Sequence, residues 1–593
     1  MTGAGSGASG PNVTGAGSGA SGPNVTGAGS GASGPNVTGA GSGASGPNVT
    51  GAGSGTNVAA EDVRAWIDGD PDPVTRAEVA ALSADDIVER FSTPLTFGTA
   101  GLRGPVRGGP AGMNVATVTR ATWAVGSWLS ARCLGGSAVV VGRDARHGSE
   151  EFFAAATEVL AAQGFSVIAL PDPAPTPYVA FATRHFDAAA GIQITASHNP
   201  PADNGYKVYV SGGPQLTAPA DREIEALIAS APPASAISRT PVVSDERALA
   251  LADLYLDRAA SRAGDGPRDL RIALTPMHGV GGAPAVEALQ RSGFTDVHLV
   301  DEQFAPDGAF PTVSFPNPEE PGATDLLLAL AERVDADIAI ALDPDADRCA
   351  IGARTTWRAS DTRDLGGWSM LTGDQAGALL GDHVLASSDA RDPLVATTIV
   401  SSELLGAIAA GRGARCARTL TGFKNLMRAG DGLVFAYEEA LGLAVDPDAV
   451  RDKDGISAAV VAAAYAAALK SQGRTVFDAL DDLYARHGVH LTAQVSRRVT
   501  DVAQIASLMA RLRADPPPSA AGVPLAVADL LTARPAADAL VFTGDGVRIT
   551  VRPSGTEPKA KFYLEVVEHG SVSEARSSAQ KRLDSVTEAV RAW

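Results

Sequence analysis

The sequence predicts a multidomain α/β protein that ends in a smaller α+β domain, and three observations carry the prediction. Apolar strands alternate with amphipathic helices from about Ala59 onward. A chain of 593 residues is longer than one hydrophobic core ordinarily serves. Beyond about Gln494 the order changes, with a helix near Ile505 to Leu512, strands near Gly546 to Val551 and Lys561 to Val567, and a closing helix.

The first 58 residues stand apart from this pattern. TGAGSGASGPNV occurs four times between Thr2 and Val49, and a partial copy follows. Gly, Ser and Ala at this density bury too little apolar surface to offset chain entropy, so residues 1–58 read as a disordered tail. Gly5 to Gly10 fits G-x-G-x-x-G, but no strand precedes it. Asn12-Val13-Thr14 and its copies would be glycosylation acceptors only in a secreted protein.

The first α/β unit shows in a strand over Ser137 to Val141 followed by a helix over Glu150 to Gln163. The pattern returns at Asp269 to Leu274 with Ala283 to Ser292, and Asp337 to Leu342 ends in an acidic loop. We place the domains at residues 59–245, 246–365, 366–493 and 494–593.

Composition narrows the function. Apolar residues at 45% and charged ones at 19% describe a folded, soluble chain. A net charge of −19 repels nucleic acid and anionic membrane alike, so neither is an expected partner. Cys133, Cys349 and Cys416 are too scattered for a disulfide framework or a zinc site and are expected to be buried small hydrophobes. There is neither an eighteen-residue apolar run nor the charge-then-apolar order of a signal peptide, which leads us to expect a cytoplasmic protein.

Four segments carry chemistry. In Gly191 to Pro200 an apolar strand breaks into Thr-Ala-Ser-His-Asn-Pro, placing Ser197 where a strand gives way to a loop, although an ordinary turn would suit these residues equally well. The hydrolase elbow is absent, and in an extended backbone His198 would point away from Ser197, which argues against acyl transfer. Asp343-Pro-Asp-Ala-Asp-Arg348 sets three carboxylates two residues apart, suited to a hard cation or to a solvated acidic turn. A calcium loop would need Gly and Glu where Arg348 and Arg354 stand. Arg552-Pro-Ser-Gly-Thr-Glu-Pro-Lys559 combines cations, hydroxyls and a glycine as a phosphate cradle would, or as a charged surface turn would. Thr421-Gly422-Phe-Lys424 and Tyr437-Glu-Glu-Ala-Leu-Gly442 offer a lysine for phosphate and carboxylates for sugar hydroxyls, and either alone could be a surface feature.

Taken together and in this order, these segments resemble the α-D-phosphohexomutase superfamily, which includes phosphoglucomutases and phosphomannomutases. Phe97 to Gly104, Asn204 to Lys207, Leu371 to Asp374 and Arg451 to Gly455 extend the match over nearly everything after the tail. The resemblance implies three similar α/β domains plus a smaller C-terminal α+β domain around a central cleft. It implies an intramolecular phosphotransferase that interconverts hexose 1-phosphate and hexose 6-phosphate, for glucose, mannose or both, through a phosphoserine and a sugar bisphosphate.

By the same resemblance Ser197 is the phosphoserine, and Asp343, Asp345 and Asp347 hold Mg2+ together with its phosphate oxygen. Arg348 steadies the phosphoryl group, and Arg103, His198 and Lys207 surround it. Glu438 and Glu439 face sugar hydroxyls, Lys453 matches a proton-transfer residue, and Thr421, Gly422, Lys424 and His278 line the cleft. Arg552, Ser554, Gly555, Thr556 and Lys559 hold the non-reacting phosphate. Glucose 1,6-bisphosphate is the implied activator, sugar phosphates are the only implied partners, and the chain is a monomer or homodimer. Many members read Gly-Glu-x-Ser where this chain has Tyr437 to Ala440, so a sugar-contacting hydroxyl is missing. Phe310 to Val313, Phe315 to Glu320 and Thr275 to Gly279 resemble the branch with phosphopentomutases and glucose-1,6-bisphosphate synthases, which makes pentose phosphates the first alternative. A catalytically silent sugar-phosphate-binding protein and a simple phosphatase are the others.

Overall fold

The structure, a computed structural model, describes residues 58–97, 101–355, 367–499, 501, 503–554 and 559–593. The tail expected over residues 1–58 lies outside these apart from Val58.

Three sheets repeat one plan. The first contains β1 (Leu102–Pro105), β2 (Ala138–Arg143), β3 (Ser166–Ala169), β4 (Ala190–Ile194) and β5 (Asp203–Val210), in the order β1-β5-β4-β2-β3. The second contains β6 (Arg271–Thr275), β7 (Asp296–Leu299), β8 (Ile338–Leu342), β9 (Cys349–Arg354) and β10 (Trp368–Met370), in the order β10-β9-β8-β6-β7. The third contains β11 (Leu394–Thr398), β12 (Arg415–Thr419), β13 (Leu433–Glu438) and β14 (Gly442–Ala444), in the order β12-β11-β13-β14. In each, three parallel strands are followed by an antiparallel return: β4 to β5, β8 to β9, β13 to β14. Every residue of β4, β8 and β11 is buried, and β8 accordingly reads as an unbroken apolar run, whereas β4 includes Gln193 and β11 ends in Thr397 and Thr398.

The fourth sheet is antiparallel. β15 (Val489–Arg498) is followed by a ribbon of β16 (Ser519–Ala520) and β17 (Val523–Pro524), then β18 (Ala526–Asp529), β19 (Leu540–Gly544), β20 (Val547–Pro553) and β21 (Lys559–Glu568). Its order is β15-β21-β20-β19-β18, with the helix Val572–Arg591 laid against β15 and β21. The expected α/β units and closing α+β domain are all present.

Two expected boundaries move. The one at 494 falls inside β15, which pairs with β21 from Val489 onward. β10 lies beyond the boundary at 365 but pairs with β9 of the second sheet; three residues are too few for a period to betray the partner. Cys133 is also corrected: it is exposed, in a left-handed turn (φ 61°) after the helix Val115–Ser130, whereas Cys349 is buried and Cys416 partly so. Among the described residues no helix is long and apolar enough to cross a membrane.

The fourth sheet docks on the third through one buried carboxylate. Glu565 on β21 accepts hydrogen bonds from Ser402 Oγ (2.6 Å), the Glu403 amide (2.9 Å), His490 Nδ1 (2.9 Å) and Arg548 Nη2 (2.9 Å). Arg548 donates in turn to the Ile399 carbonyl at 2.8 Å. Burial alone would raise the pKa of Glu565, but His490 and Arg548 overcome it and push it down to about 2. A depressed carboxylate stabilises the fold above its ordinary value and loses that contribution as pH falls through the folded value. Glu565→Gln is therefore expected to cost about 3 kcal/mol at neutral pH. The difference from the parent should vanish between about pH 4.5 and pH 2, which urea unfolding over a pH series will check; a constant difference would mean that the side chain acts by shape.

Candidate functional site

The shared plan puts three loops in equivalent places, between the third parallel strand and its antiparallel return. β4 leads into Ser197, β8 into the acidic loop and β13 into Glu438 and Glu439. The carboxyl ends of parallel strands are where α/β sheets collect their ligands.

Ser197 sits at φ 55°, and its amide donates to Thr195 Oγ1 at 2.8 Å. The left-handed turn corrects the expectation that His198 would point away: Ser197 Oγ lies 3.3 Å from His198 Nδ1, because the backbone there is not extended. The same Oγ lies 3.1 Å from Asp343 Oδ2, so the first and second sheets meet at this serine. Burial, reinforced by Arg348 and Arg103, pushes the His198 imidazole well below its ordinary pKa and keeps it neutral. Arg103 Nη1 reaches Asn199 Oδ1 at 3.4 Å.

Asp343, Asp345 and Asp347 are fully buried, and one oxygen from each lies within 4.8 Å of the others. Lys207, opposite Gln193 on β5, donates to Asp345 Oδ2 (2.6 Å) and Asp347 Oδ2 (2.8 Å). Lys453 adds a contact of 2.9 Å to Asp347, and the Arg348 amide donates to Asp343 Oδ1 at 3.0 Å. Burial opposes all three charges; Lys207 outweighs it at Asp345 and Asp347, which end below the usual carboxylate range, while Asp343 is left well above it. A Cβ at Gly455 would strike the Arg348 and Ala346 carbonyls, so only glycine lets the helix Gly455–Lys470 start against this loop.

The third and fourth sheets complete the surround. Glu439 Oε2 accepts from Ser401 Oγ (3.0 Å) and Thr398 Oγ1 (3.2 Å), and Lys453 lends its charge to Glu438. In Thr421–Lys424, Phe423 puts its ring 5.7 Å from Lys453 Nζ and Gly422 takes φ 102°; burial lowers the Lys424 pKa, and Asp221 partly opposes that shift. Arg552 and Lys561 pair across β20 and β21, and the Ser554 amide donates to the Lys559 carbonyl at 2.8 Å. Gly555 and Thr556 lie outside the described residues. His278 sits in a left-handed turn with Nε2 2.9 Å from Thr312 Oγ1.

Four phosphoglucomutase/phosphomannomutase family profiles match in succession: α/β/α domain I over residues 94–234, domain II over 253–356, domain III over 372–487 and the C-terminal domain over 497–578. A Haemophilus influenzae protein named "Probable phosphomannomutase" is 41% identical over 465 residues, covering 77% of this chain and 93% of its own. The chain belongs to the phosphoglucomutase/phosphomannomutase family. Within it, human phosphopentomutase is 33% identical over 566 residues, covering 85% of this chain and 91% of its own. A solved phosphoglucomutase/phosphomannomutase family protein of Burkholderia thailandensis shares the fold at TM-score 0.61 and 20% identity, covering 83% and 97%.

This family member could hold a divalent cation at the three aspartates. Asp345 Oδ1 and Asp347 Oδ1 are buried without a hydrogen-bond partner among the described residues, and hard carboxylate oxygens suit magnesium. Two residues missed in the sequence hold the family's loops in place. Arg146 donates to the carbonyls of Ser197 and Asn199, both at 2.6 Å, and of Pro200 at 2.9 Å. Thr176 Oγ1 donates to Asp345 Oδ2 at 2.5 Å. The polar run Arg143 to Arg146 after an apolar strand was the available signal for the first; a threonine opening a helix offers none.

Proposed function

We propose that this protein is a phosphosugar mutase that interconverts hexose 1-phosphate and hexose 6-phosphate. Its phosphoryl carrier is Ser197 and its metal ligands are Asp343, Asp345, Asp347 and the serine phosphate. The observation that carries this reading is Ser197 Oγ, 3.1 Å from Asp343 Oδ2, at the meeting point of the serine loop and the acidic loop. Mg2+ bound there would supply the positive charge that a transferring phosphoryl group needs.

The chain's own residues divide the remaining work. His198, kept neutral beside the serine, is placed to exchange a proton with Oγ. Arg103, Lys207, Arg348 and Lys453 offset negative charge in a buried site, where it is otherwise costly. Glu438 and Glu439 accept from sugar hydroxyls, and the β20–β21 tip with Arg552, Ser554 and Lys559 takes the distal phosphate. The serine donates its phosphoryl group to the sugar monophosphate, the bisphosphate turns over, and the serine reclaims the other phosphate; attack is in line because both ends are held. We further propose that a sugar bisphosphate such as glucose 1,6-bisphosphate keeps the serine charged, and that the protein acts in the cytoplasm as a monomer or homodimer on small sugar phosphates.

Hexose is favoured because the phosphomannomutase relative is 41% identical and the phosphopentomutase 33%. The test is conversion of glucose 1-phosphate and mannose 1-phosphate, with magnesium and trace bisphosphate, beside ribose 1-phosphate. Fast hexose turnover supports the reading, pentose preference replaces it with a pentomutase, and no turnover of any sugar overturns it. Deleting residues 1–56 is expected to leave these kinetics unchanged; a large loss would give the repeat tail a part in the reaction.

A further inference from the structure

The segment from Phe310 to Glu320 lies between the helices Asp301–Phe304 and Asp325–Arg333 and runs along the site. Its base is pinned: Thr312 Oγ1 meets His278 Nε2 (2.9 Å) and accepts from Gln303 Nε2 (2.8 Å), while Phe310 lies under the Arg146 guanidinium at 4.8 Å. Phe315 sets its ring 6.4 Å from His198, beside the phosphoryl carrier. Glu319 then reaches Arg348, Oε2 to Nη1 3.6 Å.

We infer that Glu319 is a third sugar-facing carboxylate, acting with Glu438 and Glu439 to decide which sugar phosphate the enzyme accepts. The inference rests on the mutase reading above. At 3.6 Å the contact with Arg348 is longer than a hydrogen bond, so the Glu319 oxygens keep their capacity to accept. The side chain is 38% accessible, against 0% for the three aspartates, so a ligand can reach it. Its partner Arg348 also forms a β-bridge to Gly442, the first residue of β14, so Glu319 stands beside the junction of the second and third units. Sugar hydroxyls are donors, and a site of enclosed acceptors discriminates strongly against a sugar that leaves one unpaired. Tyr437 to Ala440 lacks the serine usual in the family, so selection must draw on other groups, and Glu319 brings an accessible carboxylate to Arg348.

Glu319→Gln keeps the size of the side chain and removes its charge. The variant is expected to raise KM about tenfold for the preferred sugar phosphate with kcat within about threefold, and to change the hexose-to-pentose ratio of kcat/KM about tenfold. An unchanged ratio overturns the inference, including the case in which kcat falls equally for every sugar because Glu319 only steadies Arg348. Glu438→Gln is measured in parallel. If it shifts KM and the ratio while Glu319→Gln does not, only the role of Glu319 falls; if neither variant shifts them, the sugar site itself is misplaced.

Discussion

Ser197→Ala is expected to lose at least about a thousandfold in mutase turnover, with its circular dichroism and unfolding transition close to those of the parent. The substitution removes only Oγ, whose partners are His198 and Asp343. The loop does not depend on those contacts. Arg146 holds it through the Ser197, Asn199 and Pro200 carbonyls, and the Ser197 amide is taken by Thr195. Alanine tolerates the left-handed turn less well than glycine but not markedly worse than serine, so the fold should persist. Incubation with sugar bisphosphate, followed by mass spectrometry, should show one added phosphate on the parent and none on the variant. Turnover near the parent level would refute the assignment of the phosphoryl carrier.

The second large effect is on stability. Lys207 is buried, and it bridges Asp345 and Asp347. Lys207→Met removes the cation and keeps the volume, leaving two buried carboxylates with less compensation, which typically costs about 3–5 kcal/mol. In metal-free buffer the thermal midpoint should therefore fall by several degrees. Added Mg2+ should raise it more in the variant than in the parent, because a ligand that binds only the folded state adds stability by mass action. An unchanged midpoint without metal would show that Lys453, Arg348 and Arg103 balance the three aspartates by themselves. A lower midpoint that Mg2+ does not lift would argue against a cation at the aspartates.

The two effects are separable because they lie on different links. Ser197 contributes one reactive atom to a loop held from elsewhere, whereas Lys207 contributes charge balance to a closed core. Glu565 shows the same logic at a distance, since its hydrogen bonds to Ser402 and the Glu403 amide tie the fourth sheet to the loop whose Ser401 supports Glu439.

Residue order along the chain was enough to place the serine loop, the acidic loop and the Glu438–Glu439 turn at strand ends. An apolar run that stops at a polar cluster marks a strand end, and Ser197, Asp343 and Glu438 each stand at such a point. The same local rule placed the helix expected over Glu150 to Gln163, observed at Ser149–Ala162. What the chain order could not supply was direction and pairing. His198 was expected to turn away from Ser197, and a single positive φ reverses that. β10 joined the second sheet across an expected boundary, Arg146 and Thr176 reached the site from segments with no motif of their own, and Glu319 came from a segment whose motif assigned it no role. The physical reason is one of range. Periodicity and turn chemistry act over a few neighbouring residues, so sequence by itself determined which elements form and which residues end them. Contacts such as Lys207 with Asp345, or Ser197 with Asp343, span more than a hundred residues and exist only because three repeated sheets set equivalent loops face to face; that convergence was decided by tertiary packing alone.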